Sequence, residues 1–376
     1  MSRIISFLRF PLIALVVIIH TDLTDIYFGG LSIVDPSLYP MYTAFRNFLQ
    51  EVLRMVVPVF FMVSGYLFCA PYAEFDRNAY VGKIKNRVRT LLVPYLLWIT
   101  IVLAVNALGP VLLPSLASGR QQPYEFTLAT FVRDYWVHPA CIQFWFLRDL
   151  MVVCLLSLPL LGLVRRLGLL WLGAMALVYV SEAALGYPFP AGFSPCALLF
   201  FSAGAWYRYY VHPDVMQSPC GFPFRLRHAQ ALAIASAYVV LVLLATHLQW
   251  GVSEAGGSDI AMAVSRLSVL VGVPLVLCVC RHFAVDRGCS VPAIAASATF
   301  FVYGSHMFIL AFAERLIVKA LPESDLLFVL AYVAVPALVV CVCVALSACV
   351  RACCPSLWAL LTGDRGAGAY AAKAVK

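Results

Sequence analysis

LLFVLAYVAVPALVVCVCVALSACV, residues 326–350, is 25 residues long and carries no charged side chain. As an α-helix it would rise roughly 37 Å, more than the ~30 Å of a bilayer's hydrocarbon core. Working outward, comparable apolar runs lie near 4–23, 50–70, 90–109, 143–164, 168–184, 194–211, 228–248, 260–280 and 297–318. The short alternating segments of a transmembrane barrel are absent. The expected fold is an all-α integral membrane protein with a bundle of about ten transmembrane helices. Residues 1–361 read as one polytopic domain and 362–376 as a short cytoplasmic tail.

The composition agrees. Of 376 residues, 63% are hydrophobic and 12% charged. A soluble domain of that make-up could not cover its apolar surface, and disorder needs the opposite balance. The net charge of +8 comes from basic residues scattered over short loops, with no nucleic-acid motif, so nucleic acid is not an expected partner. Membrane lipid is. With the N-terminus inside, 17 Lys and Arg fall on the cytoplasmic side and five outside, and the remaining Arg9, Arg54, Arg148 and Arg266 lie in or beside apolar runs. That bias predicts an N-in, C-in, multi-pass protein of the cell (cytoplasmic, inner) membrane. The first run follows Arg3 as a signal peptide would, but no small-residue cleavage site follows it, so it reads as a retained helix.

The 13 cysteines mostly sit inside apolar runs, as at Cys278, Cys280, Cys341 and Cys343, and read as buried thiols. None has metal-ligand spacing, and no metal is expected. Two long outer loops are expected near 22–45 and 110–142. The second holds Tyr124, Arg133, Asp134, Tyr135 and Trp136, a mixture suited to the membrane interface or to a sugar-like ligand.

Ionisable groups within spans are costly and are functional candidates by default. The first run holds Arg9 and His20, eleven residues apart. On a continuous helix they share a stripe about 16 Å long. Arg9 lies near the cytoplasmic end and His20 near the outer end. The plain alternatives are a snorkelling arginine and a helix-end histidine. In the second long run, Ser64 and Gly65 suit close helix packing or offer a hydroxyl. Lys83, Lys85, Arg87 and Arg89 precede the third run, where they could set topology, bind anionic lipid or clamp a phosphate.

Five pieces then fall in a telling order: Arg9 with His20; Pro58–Phe68 with its Phe-Phe-x-x-Ser-Gly-Tyr core; Arg87–Trp98 with Leu-Leu-x-Pro-Tyr-x-x-Trp; Phe144–Leu150, which carries Trp145 and Arg148; and Phe301–His306. Together they span nearly the whole chain and resemble the membrane acyltransferase 3 family. The resemblance implies a ten-helix enzyme that takes an acyl group, expected to be acetyl, from cytosolic acyl-CoA. That acyl-CoA is a co-substrate, and no permanently bound cofactor is expected. The acceptor would be a hydroxyl of a cell-surface carbohydrate, glycolipid or related envelope molecule. Some members carry Arg-x-x-Arg before the third helix, whereas this chain has Arg87-x-Arg89.

Acyl transfer from a thioester to a hydroxyl needs a base, donors for the oxyanion and a hold on the donor. His20 is the expected base, or the nucleophile of an acyl-histidine. Arg9 would steady the donor or an oxyanion. Lys83, Lys85, Arg87 and Arg89 would meet the CoA phosphates. His306, Ser64, Trp145 and Arg148 are the further polar or substrate-contacting candidates. Asp22 could orient the imidazole only if the first helix ends there. Two other classes fit the same charges: a permease or exporter without acyl chemistry, and a structural subunit.

Overall fold

The computed structural model describes residues 3–23, 25–26, 31–32, 38–69, 77–112, 127–185, 189–211, 228–250 and 259–364. Tyr124 and most of the 110–142 segment before Thr127, like the tail from 365 onward, lie outside the described residues.

The described chain is almost wholly helical. It runs α1 (Arg3–Ile19), a two-residue hairpin β1 (Asp25–Ile26) and β2 (Leu31–Ser32), α2 (Pro40–Leu53), α3 (Val56–Cys69), α4 (Arg77–Arg87) and α5 (Val93–Leu112). Then come α6 (Leu128–Val132), α7 (Trp145–Leu155), α8 (Ser157–Leu167), α9 (Leu169–Leu185) and α10 (Pro195–Trp206). The last five are α11 (His228–Trp250), α12 (Asp259–Arg281), α13 (Ala293–Ala320), α14 (Asp325–Cys353) and α15 (Pro355–Thr362). In bulk apolar lipid every backbone group must be paired within its own segment, which is why such a sequence goes helical.

Six stretches among the described residues are long and apolar enough to cross a membrane: Pro40–Cys69, Tyr80–Leu108, Ala229–Gln249, Asp259–Asp286, Ala293–Ala320 and Asp325–Cys353. Two further pairs, Leu128–Val137 with Ile142–Leu155 and Ser157–Leu167 with Leu169–Glu182, bend by 69° and 117°, and counting each as one span raises the number to eight. The multi-pass reading therefore stands, and the difference from about ten expected runs has local causes. The run at 143–164 is interrupted at Leu156. Pro159 offers no amide to the carbonyl of Leu155, and Ser157 turns its hydroxyl onto Cys154 O at 2.7 Å. Gly168 takes φ +54° between α8 and α9, a conformation that favours glycine, and permits the sharp turn. The first run forms only the 17 residues of α1, the lower limit for a span. Cys341 and Cys343, both read as buried thiols, part company: Cys343 is buried and Cys341 exposed. Positions two apart on a helix lie about 200° round it.

The described residues form two compact units. The first contains α1, α2 from Ala44, α3, and α8 to α12. Its tightest packing is α3 on α10. A β-carbon on Gly65 would strike the carbonyl of Phe201, and one on Gly204 the carbonyl of Met62. Each helix thus lends the other a glycine so that the backbones touch. The charges Arg54 and Arg266 are paired in this unit, Arg54 with the buried Glu51 and Arg266 with Glu182 at 2.7 Å. Gln249 joins them, donating to Glu51 and to Ser265 at 3.0 and 3.1 Å.

The second unit contains residues 20–43, α4 to α6, α7 up to Met151, and α13 to α15. α13 packs on α14, and α15 on α5, α13 and α14. An aromatic stack joins Tyr95, Phe144 and Tyr303, with centroids 5.6 and 5.4 Å apart. Trp98 lies against Gly304, where a β-carbon would meet its indole, and donates to Leu361 O at 3.1 Å. These contacts explain Leu-Leu-x-Pro-Tyr-x-x-Trp: its Trp98 packs on the helix that carries His306, and its Tyr95 reaches that helix through Phe144.

Candidate active site

His306 stands midway along the 28-residue α13 and is fully buried. Its Nδ1 is 3.0 Å from both Val302 O and Tyr303 O. Carbonyl oxygens only accept, so the geometry assigns the proton to Nδ1. Nε2 is left as a lone pair, buried and without a hydrogen-bond partner among the described residues.

The helix α1 ends at Ile19, so His20 stands just past its last turn, half-buried. The helical projection that placed Arg9 and His20 on one stripe stops one residue short of His20. The His20 ring lies 5.5 Å, centroid to centroid, from that of His306 and is tilted by 39°. His20 is therefore level with the middle of α13, not with its end.

The described residues between α1 and β1 lie in no helix or strand, and side chains take the amides of Asp22 and Leu23. Asp22 N–H donates to Glu314 Oε1 on α13 at 2.9 Å, and Leu23 N–H to Tyr42 Oη at 2.9 Å. Tyr42 is itself held, because Asp325 accepts the amides of Met41 and Tyr42 at 2.8 and 2.7 Å at the start of α2.

A second group steadies α13 from the other side of the sequence. Gln143 Nε2 donates to Tyr303 O and Gly304 O, both at 3.4 Å, while Tyr303 Oη donates to Gln143 O at 2.6 Å. Close by in sequence, Arg148 is buried, paired with Asp149 at 2.9 Å, and donates to Trp136 O and Val137 O at 2.9 Å.

A family model of the acyltransferase domain, acyltransferase family 3, matches residues 3–348. The chain belongs to the acyltransferase 3 family. This acyltransferase is also similar to the "Succinoglycan biosynthesis protein ExoH" of Rhizobium meliloti (strain 1021), with 28% identity over 382 aligned positions, covering 97% of this chain and 92% of that protein. No solved structure matches it.

The acyltransferase brings together some of the residues expected to matter. His20 and His306 meet, in the second unit. Trp145 opens α7 in the same unit, half-buried, and Arg148 clamps the turn before it. Arg9 lies half-buried on α1 in the first unit, and Ser64 half-buried on α3 beside the contact glycine Gly65. The basic run occupies α4 and the π-helical turn Val88–Leu92. Residues four apart share a helical face. Lys83 and Arg87 accordingly are half-buried, while Lys85 and Arg89 are exposed. Arg89 reaches Asp364, just after α15, at 3.0 Å, with the two side chains 73% and 41% exposed. So open a pair contributes little stability. Glu314, Tyr42, Gln143 and Asp325 were not singled out from sequence. Glu314 was findable, being an acid inside the apolar run 297–318. The other three show only in contact.

Proposed function

We propose that this acyltransferase moves an acyl group, acetyl as the expected case, from cytosolic acyl-CoA to a hydroxyl of a cell-surface polysaccharide. It would work in the cytoplasmic membrane as a bundle of about ten spans with both termini inside. The observation that carries the reading is the His20–His306 pair, two imidazoles meeting halfway along a spanning helix of a family 3 acyltransferase. A named role in succinoglycan biosynthesis for a relative aligned over 97% of this chain supports a polysaccharide acceptor. Family membership favours acyl chemistry over a permease.

In the proposed reaction the acceptor hydroxyl attacks the thioester carbonyl while His20 takes its proton. The tetrahedral intermediate then collapses, the C–S bond breaks, and the CoA thiolate leaves with that proton returned from His20. In the two-step variant His20 attacks the thioester carbonyl, the C–S bond breaks and CoA leaves as the thiol with the imidazole's proton; the acceptor hydroxyl then attacks the acyl-imidazole, and its proton returns to the ring as the N–acyl bond breaks. His306, its own proton engaged by carbonyls, presents a lone pair beside His20. Arg9 would steady the donor or the oxyanion, and Lys83, Lys85, Arg87 and Arg89 the CoA phosphates. Purified protein incubated with radiolabelled acetyl-CoA and surface polysaccharide tests the reading. Label entering the polymer is expected, with mass spectrometry of surface glycans from cells with and without the gene reporting the added group. A permease consumes no acetyl-CoA.

A further inference from the structure

Glu314 is the one buried acid on α13, 3% exposed, and nothing in the reaction above uses it. Eight residues separate it from His306, about 12 Å along the helix and a quarter turn round it. Its carboxylate accepts the amide of Asp22, two residues beyond His20. One rigid helix therefore touches the His20 segment twice, ring to ring at His306 and carboxylate to backbone at Glu314. Between Ile19 and β1 the described residues, His20 to Leu23, belong to no helix or strand. A carboxylate buried in a spanning helix is costly to keep, and its hydrogen bond to the Asp22 amide serves the stretch of chain that carries His20.

We propose that Glu314 is the positioning residue of this site: by gripping the Asp22 amide it holds the His20 imidazole at its place against His306. This rests on the reading of His20 as base or nucleophile. Tyr42, which takes the next amide and lies 3.5 Å from Asp22 Oδ1, completes the grip.

The test uses membranes containing the full chain, supplied with radiolabelled acetyl-CoA, and scores label transferred to polymer per folded molecule. Glu314→Gln keeps an oxygen at the same reach and should retain turnover within a few-fold. Glu314→Ala and Glu314→Asp remove or shorten the grip and should lose about 10²-fold, the scale of a roughly 1 Å misplacement. The apparent KM for acetyl-CoA should not move. The double variant His20→Ala/Glu314→Ala should be no slower than His20→Ala alone, because Glu314 acts through His20. If Glu314→Ala does not accumulate, Glu314→Asp carries the comparison. Normal turnover in Glu314→Asp, a loss in Glu314→Gln as large as in Glu314→Asp, or an additive double variant overturns the proposal alone. Undiminished transfer by His20→Ala overturns the reading of the site and this proposal with it.

Discussion

His20 and His306 are chemically alike but differently placed. His306 is locked by two carbonyls of its own helix and has no exposure, whereas His20 sits at a helix exit and is half-buried. A group that must meet a hydroxyl and a thioester in turn needs access, and His20 has it. We therefore expect His20→Ala to lower turnover per folded molecule by about 10²–10⁴-fold with normal protein in the membrane. His306→Ala should be slower as well and should also lower thermal stability, since it leaves a hole in the core of the second unit. The check is turnover normalised to folded protein, measured beside a thermal melt, for both variants and Arg9→Ala. Near-normal turnover in His20→Ala would return it to a helix-end histidine.

Among elements, α3 and α10 make the closest approach in the first unit. Phe-Phe-x-x-Ser-Gly-Tyr supplies Gly65, and Pro195–Trp206 supplies Gly204. Gly204→Ala should lower stability by about 1–3 kcal/mol or more, as overpacking does, because the clash is with backbone that cannot rotate away. A detergent-solubilised thermal melt reads this, and an unshifted melting temperature would show that the helices can part freely. The basic element α4 divides by face. Neutralising Arg87 and Arg89 together should weaken acetyl-CoA binding while leaving folding intact, because the Arg89–Asp364 pair is too exposed to hold the fold. The weakening should shrink as salt rises. Equilibrium binding at two ionic strengths settles whether the cluster meets phosphate or only sets topology.

For the whole molecule, the 17-to-five distribution of Lys and Arg leads us to expect both termini and the α4 segment inside. Lys85 is exposed and suits a probe. In a chain whose exposed Cys289, Cys341, Cys349, Cys353 and Cys354 are replaced, Lys85→Cys should resist an impermeant thiol reagent in intact cells. It should label once the membrane is opened. Labelling in intact cells would invert the protein and exchange the donor and acceptor faces.

Length and hydropathy by themselves determined a helical, multi-pass membrane protein, because lipid leaves a backbone of such apolar runs no other partner than itself. Ordered motifs pointed to the family and to His20 and His306 separately. The tertiary structure alone decided that those two rings meet, that α1 stops at Ile19, and that Glu314 grips the chain after it. Helical periodicity reports a side chain's direction only while the helix lasts, and it is silent on which distant helix faces it. Arg148 shows the same limit: its charge announced a functional residue, yet its donors go to its neighbour Asp149 and to the carbonyls of Trp136 and Val137, which only the folded chain brings within reach.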